Sequence, residues 1–271
     1  MPTQIGWEAS GTIDAAGANV EGFAVGDRVA VIPAYGADYG FYGELALAPA
    51  RSLVRVPLHI TWEEAAASWA AFATAWTGLI DVAALSAGQF VLIPAASSSA
   101  GLAAVQIARE VGAIPIALTR TSAKAAALRD KGAAHVVATQ EQDLLAEVMR
   151  MTDGKGAEVA FDPVAGPGFA RLVEAAATGG TLVVYGALGG TTATFPVMRL
   201  LGRRLSIRGF GLPSTTRDDA KLTALKTFIG KGLAAGDFKP TIAKLFRFEE
   251  IADAHRYPEA GEQIGKIVVT V

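Results

Sequence analysis

The segment Phe90-Val91-Leu92-Ile93-Pro94-Ala95-Ala96-Ser97-Ser98-Ser99-Ala100-Gly101 joins a short apolar run to a loop of small residues. Leu102 to Val111 follow with helical periodicity and stop at Gly112. A second apolar run, Ile114 to Leu118, ends in Thr119-Arg120-Thr121-Ser122-Ala123-Lys124. Strand, tight turn, helix and second strand make a βαβ unit of the kind that holds a dinucleotide. Small side chains at the turn let the backbone approach a pyrophosphate, whose charge sits at the helix N-terminus. The second strand of such a unit ends beside the adenosine ribose. An Asp or Glu there would take the 2′-hydroxyl of NAD. Thr119, Arg120 and Lys124 stand there instead, and two cations suit a 2′-phosphate, so the expected cofactor is NADPH.

Of the pattern G-x-G-x-x-G only Gly101 is present. Ser97, Ser98 and Ser99 can donate hydroxyls to phosphate oxygens, with Ala100 and Gly101 completing the loop, although a Cβ restricts the backbone more than glycine does. The same residues also read as an ordinary strand-to-helix turn with a serine N-cap, and Arg120 and Lys124 as a solvated helix entrance.

Outward from this unit, strands and helices alternate. Strands are expected at 90–93, 114–118, 135–138, 158–162, 181–185 and 205–209, with helices near 100–111, 122–131, 142–151 and 167–177. Thr181-Leu182-Val183-Val184-Tyr185 is apolar throughout, as in a strand covered on both faces. The fold class is therefore α/β, with a doubly wound parallel sheet whose ligand lies at its carboxyl edge. Residues 1–57 read instead as short strands and turns, among them Glu8 to Ile13, Gly22 to Val31 and Glu44 to Ala48. Thr61-Trp62-Glu63-Glu64 is a capping box for a helix from Ala65 to Val82. A helix over 217–235, another over 248–257 and a last strand over 267–271 complete the chain.

Hydrophobic residues make up 51% of the 271 residues and charged residues 18%, enough for a large core. A net charge of -2 gives no electrostatic case for nucleic acid or an anionic membrane as a partner. No apolar run is long enough to span a bilayer, and Met1-Pro2-Thr3-Gln4 matches neither a signal nor a transit peptide, so a cytoplasmic location is expected. With no cysteine, thiolate chemistry and Cys-ligated zinc are excluded. His59, His135 and His255 lie far apart without metal-ligand spacing, and no metal is expected.

Several segments, in order, resemble the medium-chain dehydrogenase/reductase family, and within it the zinc-free branch of quinone reductases and enoyl reductases. They are Gly6-Trp7-Glu8-Ala9-Ser10-Gly11, Val25-Gly26-Asp27-Arg28-Val29, Thr74-Ala75-Trp76, the loop from Ala95 to Ala108, Phe161-Asp162-Pro163-Val164-Ala165-Gly166, Tyr185-Gly186-Ala187 and Gly265-Lys266-Ile267-Val268. The resemblance implies a GroES-like domain (1–62 and 240–271) interrupted by a Rossmann domain (63–239) with six strands in the order 3-2-1-4-5-6, and NADPH and substrate in the cleft between them. It implies that Thr74, Tyr185-Gly186-Ala187 and Phe210-Gly211-Leu212 face the nicotinamide. Asp162-Pro163-Val164 would line the adenosine and ribose side, and Lys266 would lie near the cofactor.

The family's chains usually begin with further strands before the segment matched by Gly6 to Gly11, so the β domain is expected to be partial. Its bare edges point to a homodimer or larger homo-oligomer. The implied reaction is zinc-independent hydride transfer from NADPH to a quinone or an α,β-unsaturated carbonyl, a small-molecule substrate. Tyr39 and Tyr42, in an aromatic and glycine-rich loop, are available as proton donors or as lining aromatics. A nucleotide-binding protein with little catalysis is the alternative.

Overall fold

The computed structural model describes residues 5–34 and 40–271. The chain forms two compact units, Met1–Ala73 with Leu212–Val271, and Thr74–Gly211.

The first unit opens with β1 (Ser10–Thr12), β2 (Arg28–Val31) and β3 (Leu53–Arg55), an antiparallel sheet in that order. Val29, Val31, Leu53 and Phe41 form its small core. The turn into β2 is set by Gly26 at φ +91 and by Asp27, whose carboxylate accepts from Ala24 N at 2.8 Å and pairs with Arg55 at 2.7 Å. The strand expected at Glu44 to Ala48 is not formed. Leu45 and Leu47, which would share one face of it, are 80% and 76% exposed, so no apolar surface drives that segment to pair. The capping box is present: Thr61 N donates to Glu64 Oε2 at 3.0 Å and Glu64 N to Thr61 Oγ1 at 3.2 Å. It starts α1 (Trp62–Trp76), which ends in a wider π turn, Thr77–Val82.

The second unit then runs β4 (Phe90–Ile93), α2 (Ser99–Glu110), β5 (Ile114–Thr119), α3 (Ala125–Asp130), β6 (His135–Ala138) and α4 (Leu144–Met151). It continues through β7 (Ala157–Asp162), α5 (Phe169–Ala175), β8 (Ala176–Val184), α6 (Val197–Arg203) and β9 (Ser206–Gly209). The sheet order is β6-β5-β4-β7-β8-β9, every pair parallel. This is the expected 3-2-1-4-5-6 order of a doubly wound sheet. One face carries Leu92, Ile116, Leu118, Val137, Ala160 and Leu182 against Leu144 and Val148 of α4 and Phe169, Leu172 and Val173 of α5. The alternate residues Val91, Ile93, Phe161 and Val183, all buried, make the other face.

The chain returns to the first unit through α7 (Pro213–Thr216), α8 (Asp219–Ala235), β10 (Ile242–Arg247), α9 (Ile251–Arg256) and β11 (Lys266–Thr270). β10 and β11 pair in parallel. The boundaries expected from the sequence are 62/63 and 239/240, whereas α8 groups with the first unit. Lys226 Nζ donates to the carbonyls of Arg51 at 2.6 Å and Leu53 at 3.1 Å, Arg51 pairs with Asp219 at 2.8 Å, and Phe72 stacks on Phe238 at 5.0 Å. Burial, with Arg51 nearby, holds the Lys226 amine below its ordinary pKa.

Candidate functional site

Because all six strands of the second unit run the same way, their carboxyl ends meet along one edge. There the structure gathers the loop from Ser97 to Gly101, the ends of β5 (Thr119, Arg120, Lys124) and β7 (Asp162, Pro163, Val164), and the residues after β8 (Tyr185, Gly186, Ala187) and β9 (Phe210, Gly211).

The loop after β4 is tight for identifiable reasons. Ala95 sits at φ +49, a left-handed conformation usually left to glycine. Ser98 is the N-cap of α2, and its hydroxyl accepts from Gly101 N at 3.1 Å. A Cβ on Gly101 would stand 2.7 Å from Ala95 O and from Ala96 Cα. Gly101 therefore does what the third glycine of the dinucleotide fingerprint does, allowing close helix–strand packing. Ser98 is occupied as a cap, as the plainer reading of the serines expected. Ser97 is placed differently: its hydroxyl accepts from Lys124 Nζ at 3.1 Å. Lys124, five residues after the end of β5, thus reaches back to the loop that follows β4. Arg120 is exposed and Thr119 half-buried at the same end.

The loops after β7 and β8 are zipped together. Asp162 is 1% exposed, and its carboxylate accepts from Val164 N at 2.8 Å and Ala165 N at 3.0 Å. Burial raises its pKa above the ordinary carboxylate value, and the two amides act in the opposite direction. Tyr185 N donates to Asp162 O at 3.0 Å, Leu188 N to Pro163 O at 3.1 Å and Gly189 N to Val164 O at 2.7 Å. A Cβ on Gly186 would come within 2.6 Å of Pro163 O, and one on Gly166, at φ +59, would overlap Gly189 O. The two loops can approach this closely only because both positions are glycine.

Beside them stands an aromatic stack. Tyr185 lies on Phe161 with ring centroids 4.0 Å apart, and the Phe210 ring lies 5.9 Å from that of Tyr185. The π turn packs here through Gly78, where a Cβ would overlap Phe161 Cε2 and stand 3.1 Å from Phe210 Cε1. Among the described residues, the Tyr185 hydroxyl is buried without a hydrogen-bond partner, and so is that of Thr77. Burial raises the pKa of the Tyr185 phenol far above its ordinary value, and the Asp162 charge adds to this.

Thr74 is half-buried in the last turn of α1. Leu212 and Lys266 belong to the first unit. Lys266 forms an ion pair with Glu8, whose other oxygen accepts from Ala70 N at 2.9 Å. Tyr42, also in the first unit, is 41% exposed, with its ring 5.7 Å from that of His255. Tyr39 lies outside the described residues.

Sequence reasoning did not single out Thr77 or Gly78, and it quoted Phe161 and Gly166 only as ends of a matching motif. Nothing in the apolar spacing of 65–82 marks a change from α to π geometry. The Asx-type loop at Asp162-Pro163-Val164 could have been read from an Asp two and three residues before the amides it caps. Among the described residues no group of three or more His, Cys, Asp or Glu could hold a metal ion, and no helix is long and apolar enough to cross a membrane.

Comparison with known proteins gives concordant matches. The family described as zinc-binding dehydrogenase matches residues 100–228, and the alcohol dehydrogenase GroES-like domain matches residues 1–58. Polyketide synthase GfsB of Streptomyces halstedii is 32% identical over 271 residues, all of this chain and 5% of that protein. Human quinone oxidoreductase is 28% identical over 94% of this chain and 75% of its own length. The chain thus spans a small fraction of the polyketide synthases it matches. Among solved structures, an NAD-dependent alcohol dehydrogenase superimposes with a TM-score of 0.89 at 30% identity, over 100% of this chain and 83% of that one. A mycobacterial protein solved with NADPH gives 0.90 at 26% identity, over 99% and 83%.

Proposed function

This chain belongs to the medium-chain dehydrogenase/reductase family, and from that premise we propose that it is an NADPH-dependent reductase of quinones or α,β-unsaturated carbonyls. The observation that carries the choice of cofactor is the Lys124–Ser97 hydrogen bond at 3.1 Å. It brings a cation from the end of β5 to the loop at the N-terminus of α2, with Arg120 exposed at the same strand end. Phosphate oxygens are recognised by such charge-assisted donors, and neither residue offers an acceptor to a free ribose hydroxyl. Gly101, Gly166 and Gly186 leave close backbone approaches along the same edge.

When bound, NADPH supplies a hydride from C4 of its nicotinamide. The chain's own part is to bind, orient and exclude water. Ser97, Arg120 and Lys124 hold the phosphate end, and Asp162 and the zipped loops fix the sheet edge beside it. Of the two tyrosines expected as proton donors, Tyr42 is the described one, and a quinone can take its proton from water. The similarity to human quinone oxidoreductase and to polyketide synthases supports an electrophile already activated by conjugation. The same reading takes the chain as a homodimer or larger homo-oligomer acting on a small molecule in the cytoplasm.

The test is NADPH oxidation by the purified chain with a panel of quinones and enoyl thioesters, alongside Arg120→Ala. We expect turnover of at least one class. We also expect Arg120→Ala to weaken NADPH, but not NADH, by about 1.5–3 kcal/mol, the size of one charge-assisted contact. Equal weakening of both cofactors would overturn the placement of the 2′-phosphate. NADPH binding without any turnover would leave a nucleotide-binding protein.

A further inference from the structure

In a dinucleotide-binding unit of this kind, an acidic residue at the end of the second strand takes the ribose 2′-hydroxyl. The end of β5 carries none, but the structure brings one there from the next strand. Glu141, in the turn between β6 and α4, accepts from Ser122 N through Oε1 at 3.1 Å. Ser122 stands two residues after Arg120 and two before Lys124, so the Glu141 carboxylate sits on the loop that carries both cations. Neighbouring bonds set this register. Thr139 N donates to Thr119 O at 2.8 Å and Gln140 N to Arg120 O at 3.0 Å, while Arg171 Nη1 donates to Thr139 O at 3.2 Å. Glu141 N and Gln142 N both donate to Ala138 O, at 2.9 and 2.8 Å, and Gln142 Oε1 accepts from Ala138 N at 2.8 Å. The turn is thus closed on β6 and zipped to the end of β5, which holds Glu141 beside Ser122. Both residues are exposed, so a ligand at this strand end can reach the carboxylate.

We infer that Glu141 sets how strongly the chain prefers NADPH over NADH, and that it lowers this preference. The inference rests on the nicotinamide-cofactor reading above and concerns only the ribose end of that cofactor. An ionised carboxylate accepts hydrogen bonds and donates none. A free ribose 2′-hydroxyl can donate to it, whereas a 2′-phosphate brings acceptors and more negative charge. Arg120 and Lys124 favour the phosphate, so the cations and the carboxylate on one loop pull the selectivity in opposite directions. Ser122 N adds to the effect, because its proton is directed at Glu141 and not at a phosphate oxygen. The cations alone would read as a site for NADPH only. With Glu141 beside them, the same strand end can also take NADH.

The test is Glu141→Gln, which keeps an oxygen for Ser122 N and removes the charge. Dissociation constants are measured for NADPH and NADH, and for adenosine 2′,5′-bisphosphate and adenosine 5′-phosphate, which carry no nicotinamide. We expect the ratio of NADPH to NADH affinity to rise about three- to ten-fold at low ionic strength, and the second pair to shift in the same direction. At about 0.5 M salt the change should shrink to less than about two-fold, because exposed charges are screened. An unchanged ratio overturns the inference. So does an equal loss for all four ligands, which would report a displaced loop, and so does a shift confined to the two dinucleotides, which would place the effect away from the ribose. If the unaltered chain binds none of the four, the nicotinamide-cofactor reading itself fails and takes this inference with it.

Discussion

Asp162 illustrates how much one side chain at this edge does. It caps two amides of its own loop while its backbone carbonyl accepts from Tyr185, so it fixes both loops that end the central strands. Its carboxyl is nonetheless buried, and burial raises its pKa in the folded chain above the ordinary 3.8. An acid whose folded pKa is raised adds stability below its unfolded pKa and loses that contribution as pH rises through the folded value. In Asp162→Asn the titration is absent. Urea unfolding of both proteins from about pH 4 to about pH 7 should show the unaltered chain losing ground to the variant as pH rises. A constant difference would mean that the two amides fully offset the burial. The Asp162-Pro163-Val164 motif was legible in the sequence as a site at a strand end. The capping and the burial were not, because they depend on β8 lying alongside.

At the scale of elements, the βαβ unit from β4 to β5 was readable almost to the residue, since its apolar runs end at Pro94 and Gly112 and its loop at Gly101. β8 was not. It begins at Ala176, five residues before the expected start, because Ala176 pairs with Ala157 in a stretch whose Gly179 and Gly180 hide the strand pattern. The π turn was equally hidden: its residues keep the apolar character of the helix they extend, and only the fit to Phe161 reveals the extra width. Gly78 makes that fit possible. In Gly78→Ala the new Cβ would overlap the edge of a ring that has no exposure and nowhere to move. We expect a loss of about 1–3 kcal/mol in denaturant unfolding, typical of overpacking, and a change below about 0.5 kcal/mol would mean that the turn can relax to ordinary α geometry.

For the molecule as a whole, a doubly wound parallel sheet was legible in the alternation of strands and helices, and its strand order through the family resemblance. The grouping of α8 with the first unit was not, because it depends on Lys226 reaching carbonyls at residues 51 and 53. The first unit also leaves Trp7, Leu45 and Leu47 71%, 80% and 76% exposed, and α6 leaves Val197, Met198 and Leu201 57%, 78% and 60% exposed. Apolar side chains grouped like this mark surfaces that associate. Gel filtration with light scattering should therefore give a mass of at least two chains, and a monomer at micromolar concentration would count against the proposed oligomer.

The first unit is made from both ends of the chain, and the Lys266–Glu8 pair joins residues 258 positions apart. On the ribosome, residues 1–73 emerge long before β10 and β11 exist, whereas the continuous segment 74–211 can complete its sheet while still attached. Synthesis therefore leaves β1 to β3 without the rest of their unit until residues 212–271 arrive, after the whole sheet of the second unit has been made.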